Sequence, residues 1–392
     1  MGSPIPLLLG DDTGSPADAR DFGNQFGLLA REKIELMLRK KMIQSVVPIE
    51  EGQLQPASLD LRLGPRAFRI RASFLPGKDR SVSDQLDALK WDEISLKDPG
   101  AVLERGCVYV VPLQEHLKLT KSFTATANPK SSTGRLDIFT RLIADRSEVF
   151  DTVEPGYEGP LYAEVSPRSF SVRVREGVKL NQIRFRRLNS QQSTRTDFAV
   201  DDRRLDERHR ETPLVDGELN LRNGLILRVG LNAESPGSPI GFRAKKHTDV
   251  IDVDRVGAYE IGDFWDSLLA PPDKRLILDP GEFYILASKE KLHIPPDLAA
   301  EMVPIDPAMG EFRVHYAGFF DPGFGFSSGG YPGSRAVLEV RSHEVPFILE
   351  DGQVIGRLVY EEMAEAPQLF YGQAGLSNYQ GQGLKLSKHF RM

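Results

Sequence analysis

A shift of 175 residues lays the second half of this chain on the first. It brings Gly106 onto Gly281, Tyr109 onto Tyr284, Glu115 onto Glu290, Leu117 onto Leu292, Pro129 onto Pro304, Glu164 onto Glu339, Val165 onto Val340 and Gly177 onto Gly352. The Trp-Asp pairs at Trp91 and Trp265 stand 174 apart. One offset that keeps turn glycines and apolar strand positions in step marks a duplicated structural unit. A chain of 392 residues is long enough for two such units. The expected division is a flexible leader (1–20), a first repeat (21–190), a linker (191–222) and a second repeat with a C-terminal tail (223–392). The linker is placed within the polar, Arg- and Asp-rich stretch Asn189 to Gly224.

Within each copy the signal is strand and turn. Cys107 to Val111, Leu161 to Val165, Phe170 to Val174, Phe283 to Leu286 and Ala336 to Val340 are alternating or β-branched runs, and 35 glycines and 27 prolines punctuate the chain. Leu28 to Ile43 predicts a helix, with Ala30, Ile34, Met37 and Leu38 on one face. The class is therefore mainly β, with a short N-terminal helix. Hydrophobic residues make up 40% and charged residues 27%, and no apolar run approaches the length of a membrane span, so a cytoplasmic protein with no membrane partner is expected. A net charge of −6 argues against a nucleic-acid polymer as partner but leaves room for a basic pocket that takes one small phosphorylated ligand. The basic stretch Arg168 to Arg187 sets Arg173, Arg175, Arg184 and Arg186 among apolar residues, which reads as a solvated strand face.

Four stretches could carry chemistry. Gln55-Pro56-Ala57-Ser58-Leu59-Asp60-Leu61-Arg62-Leu63-Gly64 is a strand with alternating leucines. Lys130-Ser131-Ser132-Thr133-Gly134-Arg135 clusters two cations and three hydroxyls around a glycine. That composition suits an oligophosphate, whose oxygens need donors and whose charge needs counterions, and it equally suits a solvated polar turn. Glu164 shares a strand face with Tyr162, where a carboxylate is ordinarily on the solvent side. Its recurrence as Glu339 in the same strand context points instead to a partly buried carboxylate, whose raised pKa would fit it for proton transfer. Two Pro-Gly hairpins precede these strands, Glu154-Pro155-Gly156 and Asp321-Pro322-Gly323.

Taken in order, the helix, the Pro-Ala-Ser-Leu-Asp-Leu-Arg-Leu-Gly strand, the Ser-Ser-x-x-Arg turn, the acid-Pro-Gly hairpin, the Glu strand and the terminal Tyr379-Gln380-Gly381-Gln382-Gly383 resemble the dCTP deaminase family, which is related to dUTPase. The likeness spans nearly the whole chain but is split. Helix, first strand and serine turn match in copy one, while hairpin and glutamine-rich tail match better in copy two. The resemblance implies two tandem dUTPase-like distorted jelly-roll β-barrels, with active sites between neighbouring barrels in a trimeric, homo-oligomeric arrangement. It implies that the glutamate is the general base, that the serine turn assists it and holds phosphates, and that the tail folds over the nucleotide. By position, Ser131, Ser132 and Arg135 fill the turn, with Lys130 where arginine is usual. Glu164 and Glu339 both fill the base position, Asp321 is the hairpin acid, and Tyr371 and Gln382 belong to the tail. Copy two carries Ile305-Asp306-Pro307-Ala308-Met309-Gly310 in place of the serine turn, so one barrel is expected to supply the turn and its neighbour the hairpin and tail.

The expected reaction is hydrolytic deamination of dCTP to dUTP without a catalytic metal. Zinc nucleoside deaminases need His-x-Glu followed by Pro-Cys-x-x-Cys. Here His209-Arg210-Glu211 stands alone, and Cys107 is the sole cysteine. Mg2+ is expected only as an escort of the triphosphate. The competing readings are a dUTP diphosphatase or bifunctional enzyme, with Asp145 or Asp321 activating water, and a nucleotide-binding protein without turnover.

Overall fold

In the computed structural model the described residues run from Phe22 to Arg391, apart from 24, 190–197, 305–311, 315–317, 327–332, 343 and 374–379. The leader, the Ile305–Gly310 stretch and Tyr379 lie outside them. The repeated sequence folds into repeated strands. Val108–Lys118, Phe123–Pro129, Glu158–Pro167 and Lys179–Arg187 recur in the same order as Phe283–Leu292, Leu298–Pro304, Ser334–Ser342 and Val354–Glu362. Each copy is a distorted jelly-roll barrel of the dUTPase-like kind, closed by two antiparallel sheets. In the first copy Lys179–Arg187 and Phe123–Pro129 are central to one sheet, and Val108–Lys118 lies beside Glu158–Pro167 in the other. The register repeats too, since Val165 pairs with Tyr109 and Val340 with Tyr284.

The duplicated Glu115 and Glu290 have a structural reason. Glu115 is fully buried and accepts from the backbone N–H of Arg62 (2.9 Å) and from its Nε (2.8 Å). Glu290 accepts from Arg228 N–H and Nε at 2.8 and 2.7 Å. A carboxylate inside a barrel must be paired and hydrogen-bonded, and this bidentate staple does both in each copy.

The leading helix spans Arg31–Arg39, shorter than the Leu28–Ile43 pattern. Ile34 and Met37 are buried as expected, but Leu28 and Ile43 are strand residues, paired with Arg186 and Leu117. Apolar side chains at both ends satisfied the helical period while their backbones were taken by sheets. A second helix, Val82–Leu89, is closed by a capping box between Ser81 and Asp84. Another helix, Asp202–Glu211, lies in the stretch expected to be linker, and from Val200 onward Leu205, Leu214 and Val215 pack into the second core.

The repeats pack closely against each other. The core of the first barrel takes in Phe242, Trp265, Phe283, Ile285, Val337, Leu386 and Phe390 of the second copy, while Tyr284, Leu286, Leu338 and Val340 face the second core. The strands Phe283–Leu292 and Ser334–Ser342 are therefore buried on both faces, which is why Phe283 to Ala287 reads as an unbroken apolar run.

The basic strand face is corrected by the structure. Arg184 and Arg186 are each 1% exposed and sit at the seam between the repeats. Arg184 donates to Asp321 (2.8 Å) and to the carbonyl of Ala300, and its guanidinium stacks over Phe319 at 4.1 Å. Arg186 forms a two-pronged bond with Glu361, both distances 2.7 Å. Arg175 reaches Asp252 and Asp254, beside a parallel pairing of Ile251–Asp252 with Val172–Val174. The alternation was real, but the face opposite the apolar residues meets another barrel, not water.

Candidate functional site

The seam opens into one cleft lined from both copies. The first contributes Gln55, Lys130, Ser131, Ser132, Arg135 and Gln182. The second contributes Phe319, Phe320, Asp321, Phe324, Glu339, Tyr371, Gln382 and Lys388. All the turn, hairpin, tail and base residues carried over by the resemblance are here except Glu164, and Asp145, the alternative water activator, caps the N–H of Val82 away from the cleft.

The serine turn is a short helix, Ser131–Gly134, with Lys130 at its N-cap and Arg135 just after it. Its start is fixed by the Lys130 N–H donating to Leu180 O (2.9 Å), and the Lys130 ammonium pairs with Asp60 from the Pro-Ala-Ser strand. Burial in that strand raises the Asp60 pKa, with Lys130 opposing it. Arg135 points at the other copy. Both its Nη atoms lie 3.2 Å from Gln382 Oε1, and Nη1 also donates to the carbonyl of Lys385 at 3.0 Å. The tail is thereby tied to the turn across the seam.

The second copy holds its parts against one another. Gly323, at φ +93°, carries the hairpin so close to the tail that a Cβ would stand 2.5 Å from the Phe370 ring and 2.8 Å from Tyr371 O. The Tyr371 N–H donates to Pro322 O (2.7 Å), and Gln380 accepts from Gly325 N–H (3.0 Å). Rings of Phe320, Phe324 and Tyr371 pack in sequence, with centroids 5.0 and 5.7 Å apart. Such an apolar and aromatic wall, with donors at one end, suits a base and its sugar.

Glu339 lies on the outward face of its strand and is 5% exposed, because the other barrel covers it. Burial pushes its pKa up to about 8; the Arg135 guanidinium opposes this and Asp137 adds to it. A carboxyl poised near neutrality beside a cation and a serine hydroxyl can accept and return protons.

Glu164 stands elsewhere. Its Oε1 accepts from Arg141 Nη2 (2.6 Å) and Nε (3.1 Å), and the guanidinium lies 3.5 Å from the centre of the Phe150 ring. The face around it is sealed by Phe68, Ile70, Val110 and Tyr162 under Val82 and Leu86 of the second helix. The hairpin at Gly156 is likewise away from the cleft. Sequence reasoning missed Arg184, Gln55, Gln182 and Lys388. For Arg184 the signal was present: in a duplicated chain whose copies must pack, a charged strand face is a candidate seam.

Comparison with known proteins covers both repeats. Residues 25–189 match the family model for the 2'-deoxycytidine 5'-triphosphate deaminase (DCD) N-terminal domain, and residues 201–390 match that for the C-terminal domain. A dCTP deaminase, dUMP-forming, from Nanoarchaeum equitans is 27% identical over 173 residues, 41% of this chain and 83% of that protein. A dCTP deaminase from Natronomonas pharaonis is 28% identical over 185 residues, covering 46% of this chain and 86% of its own length. The crystal structure of 2'-deoxycytidine 5'-triphosphate deaminase from Agrobacterium tumefaciens superposes with a TM-score of 0.82 at 50% identity, covering 87% of this chain and 100% of that one. No helix among the described residues is long and apolar enough to cross a membrane.

Proposed function

The chain belongs to the 2'-deoxycytidine 5'-triphosphate deaminase family, and on that premise we propose that it converts dCTP and water to dUTP and ammonia at the cleft between its own two repeats. The observation that carries this reading is the convergence of Glu339, Arg135, Ser131 and the aromatic hairpin in one pocket, with the glutamate held near neutrality by burial. Glu339 takes a proton from water, and the resulting hydroxide attacks C4 of cytosine. The carboxyl passes that proton to N3, then moves the second proton from the new hydroxyl to the departing amino group, leaving uracil and ammonia. Arg135 and Ser131 orient the water and offset the negative charge of the attacking hydroxide. Lys130 and Ser132 take the phosphates, with Mg2+ accompanying them as part of the substrate. Asp321, held by Arg184, and Gln382, held by Arg135 and by its own Nε2 bond to Arg335 O, fix the two walls of the pocket.

Relatives named as dUMP-forming favour a second reading, in which dUTP is hydrolysed further in the same pocket. Incubation with dCTP and Mg2+, followed by chromatography, separates the two. Accumulation of dUTP and ammonia supports deamination alone, dUMP with pyrophosphate supports the sequential reaction, and unchanged dCTP rules out both.

A further inference from the structure

Beyond Gln382 the chain does not end at the cleft but crosses back onto the first barrel. Leu386 and Phe390 are buried in the first core, Ser387 Oγ donates to the carbonyl of Ser132 (2.8 Å), and His389 is held between Ser387 Oγ and Val253 O, both at 2.9 Å. The residues on either side of Lys388 are thus fastened to the serine turn, which fixes where its ammonium stands. Lys388 lines the cleft and also a second depression, made by Gly52, Asp60, Lys130, Thr133, Lys179, Asp254 and His389. Only Gln55, Lys130, Ser132 and Lys388 belong to both.

The cations of this second depression differ in one respect. Lys130 is paired with Asp60, and Lys179 with Glu50 at 2.8 Å, whereas among the described residues Lys388 has neither an ion pair nor a hydrogen bond for its ammonium. Burial lowers its pKa, and the nearby charges of Lys130 and Lys179 lower it further, while the carboxylates of Asp60 and Asp254 oppose this. Both carboxylates stand off the ammonium, and Asp60 is engaged by Lys130, so a half-buried cation is left with room for an anion to join it to Lys130.

We propose that Lys388 is a specificity-determining residue which, with Lys130, grips the terminal phosphate of the substrate where the cleft passes into the second depression, so that the C-terminal segment reads phosphate number. This rests on the deaminase reading of the cleft. The base lies toward Glu339 and the phosphate chain runs past Ser132 to the Lys130–Lys388 gate. A monophosphate is too short to reach it.

The test compares Lys388→Met and Lys388→Arg with the unmodified full chain, using dCTP and dCMP as substrates and inorganic tripolyphosphate as a ligand in calorimetry. Loss of one charge-assisted bond predicts that Lys388→Met lowers kcat/KM for dCTP about ten- to a hundredfold, chiefly through KM. The residual rate on dCMP stays unchanged, and Lys388→Arg recovers most of the loss. Tripolyphosphate binding weakens in parallel and does not depend on turnover. Equal losses on dCTP and dCMP, or unaltered tripolyphosphate binding in Lys388→Met, overturn the proposal. Tripolyphosphate binding that depends on Lys388, in a protein that leaves dCTP unchanged, would overturn the deaminase reading alone.

Discussion

In the first repeat the carboxylate of the Glu158–Pro167 strand is bonded by Arg141 beneath a lid of apolar side chains, while in the second repeat the equivalent carboxylate faces Arg135 across an open cleft. Strand and residue type are the same for Glu164 and Glu339, so neither accounts for their different surroundings. The difference lies in what covers the outward face. Barrel one covers its own, with the second helix and an arginine grown from the neighbouring strand. Barrel two leaves its face to be covered by barrel one, and the gap between them is the cleft in which the proposed site lies. The other half of a second site is also missing, since copy two has no serine turn in its sequence.

The contrast is sharpest in turnover. Glu339→Gln is expected to lower kcat by about a thousandfold, whereas Glu164→Gln leaves kcat within about twofold of the parent; steady-state kinetics on dCTP decide it, and a dead Glu164→Gln enzyme that is still folded would reverse the assignment. Stability should show the opposite order. Arg141→Met leaves the Glu164 carboxylate buried without its partner and should cost about 2 kcal/mol in denaturant unfolding, less than a fully buried pair because Arg141 is partly exposed. The double change Arg141→Met, Glu164→Gln should recover most of it, and a double mutant as weak as the single would show that the pair is not a closed unit.

The subtlest test is pH. A base must be unprotonated, so kcat/KM should rise with pH and level off above about 8, the value to which burial lifts Glu339. The same shift has a stability sign. The folded pKa lies above the ordinary 4.5, so the neutral carboxyl favours the fold at low pH, and that contribution is lost as pH rises through about 8. Glu339→Gln should therefore match the parent in Tm below pH 4.5 and exceed it in alkaline buffer. Equal Tm differences at both pH values would remove the buried-acid assignment.

Much of this was legible in the sequence because duplication is a long-range signal. The offset that aligned Glu115 with Glu290 aligned a staple, and the offset that aligned Glu164 with Glu339 aligned a strand. The turn from Lys130 to Arg135 was visible as a cluster of donors. The different surroundings of the two glutamates were not legible, because they depend on Arg141 and on a helix at Val82–Leu89 that meet Glu164 only in three dimensions. Arg184 and Arg186 were misread for a related reason: periodicity reports that a strand has two faces and is silent on whether the polar one meets water or a second barrel. Lys388 was invisible because its surroundings come from segments more than a hundred residues away.

The bond between Arg186 and Glu361 joins two positions that are equivalents of each other, 175 residues apart. Bodies related by rotation bring equivalent points into contact only close to the rotation axis. In a ring of identical barrels a residue at that place must tolerate its own image, and a buried charge there would meet a like charge. Fusing two barrels into one chain lifts that constraint, because the two positions can change independently and become an acid and a base. The pair then works as a lock between unlike halves, favouring barrel one against barrel two over either barrel against itself. Unequal partners can diverge in the same way, one keeping the serine turn and the other the glutamate that faces it, which a ring of identical barrels has no means to do.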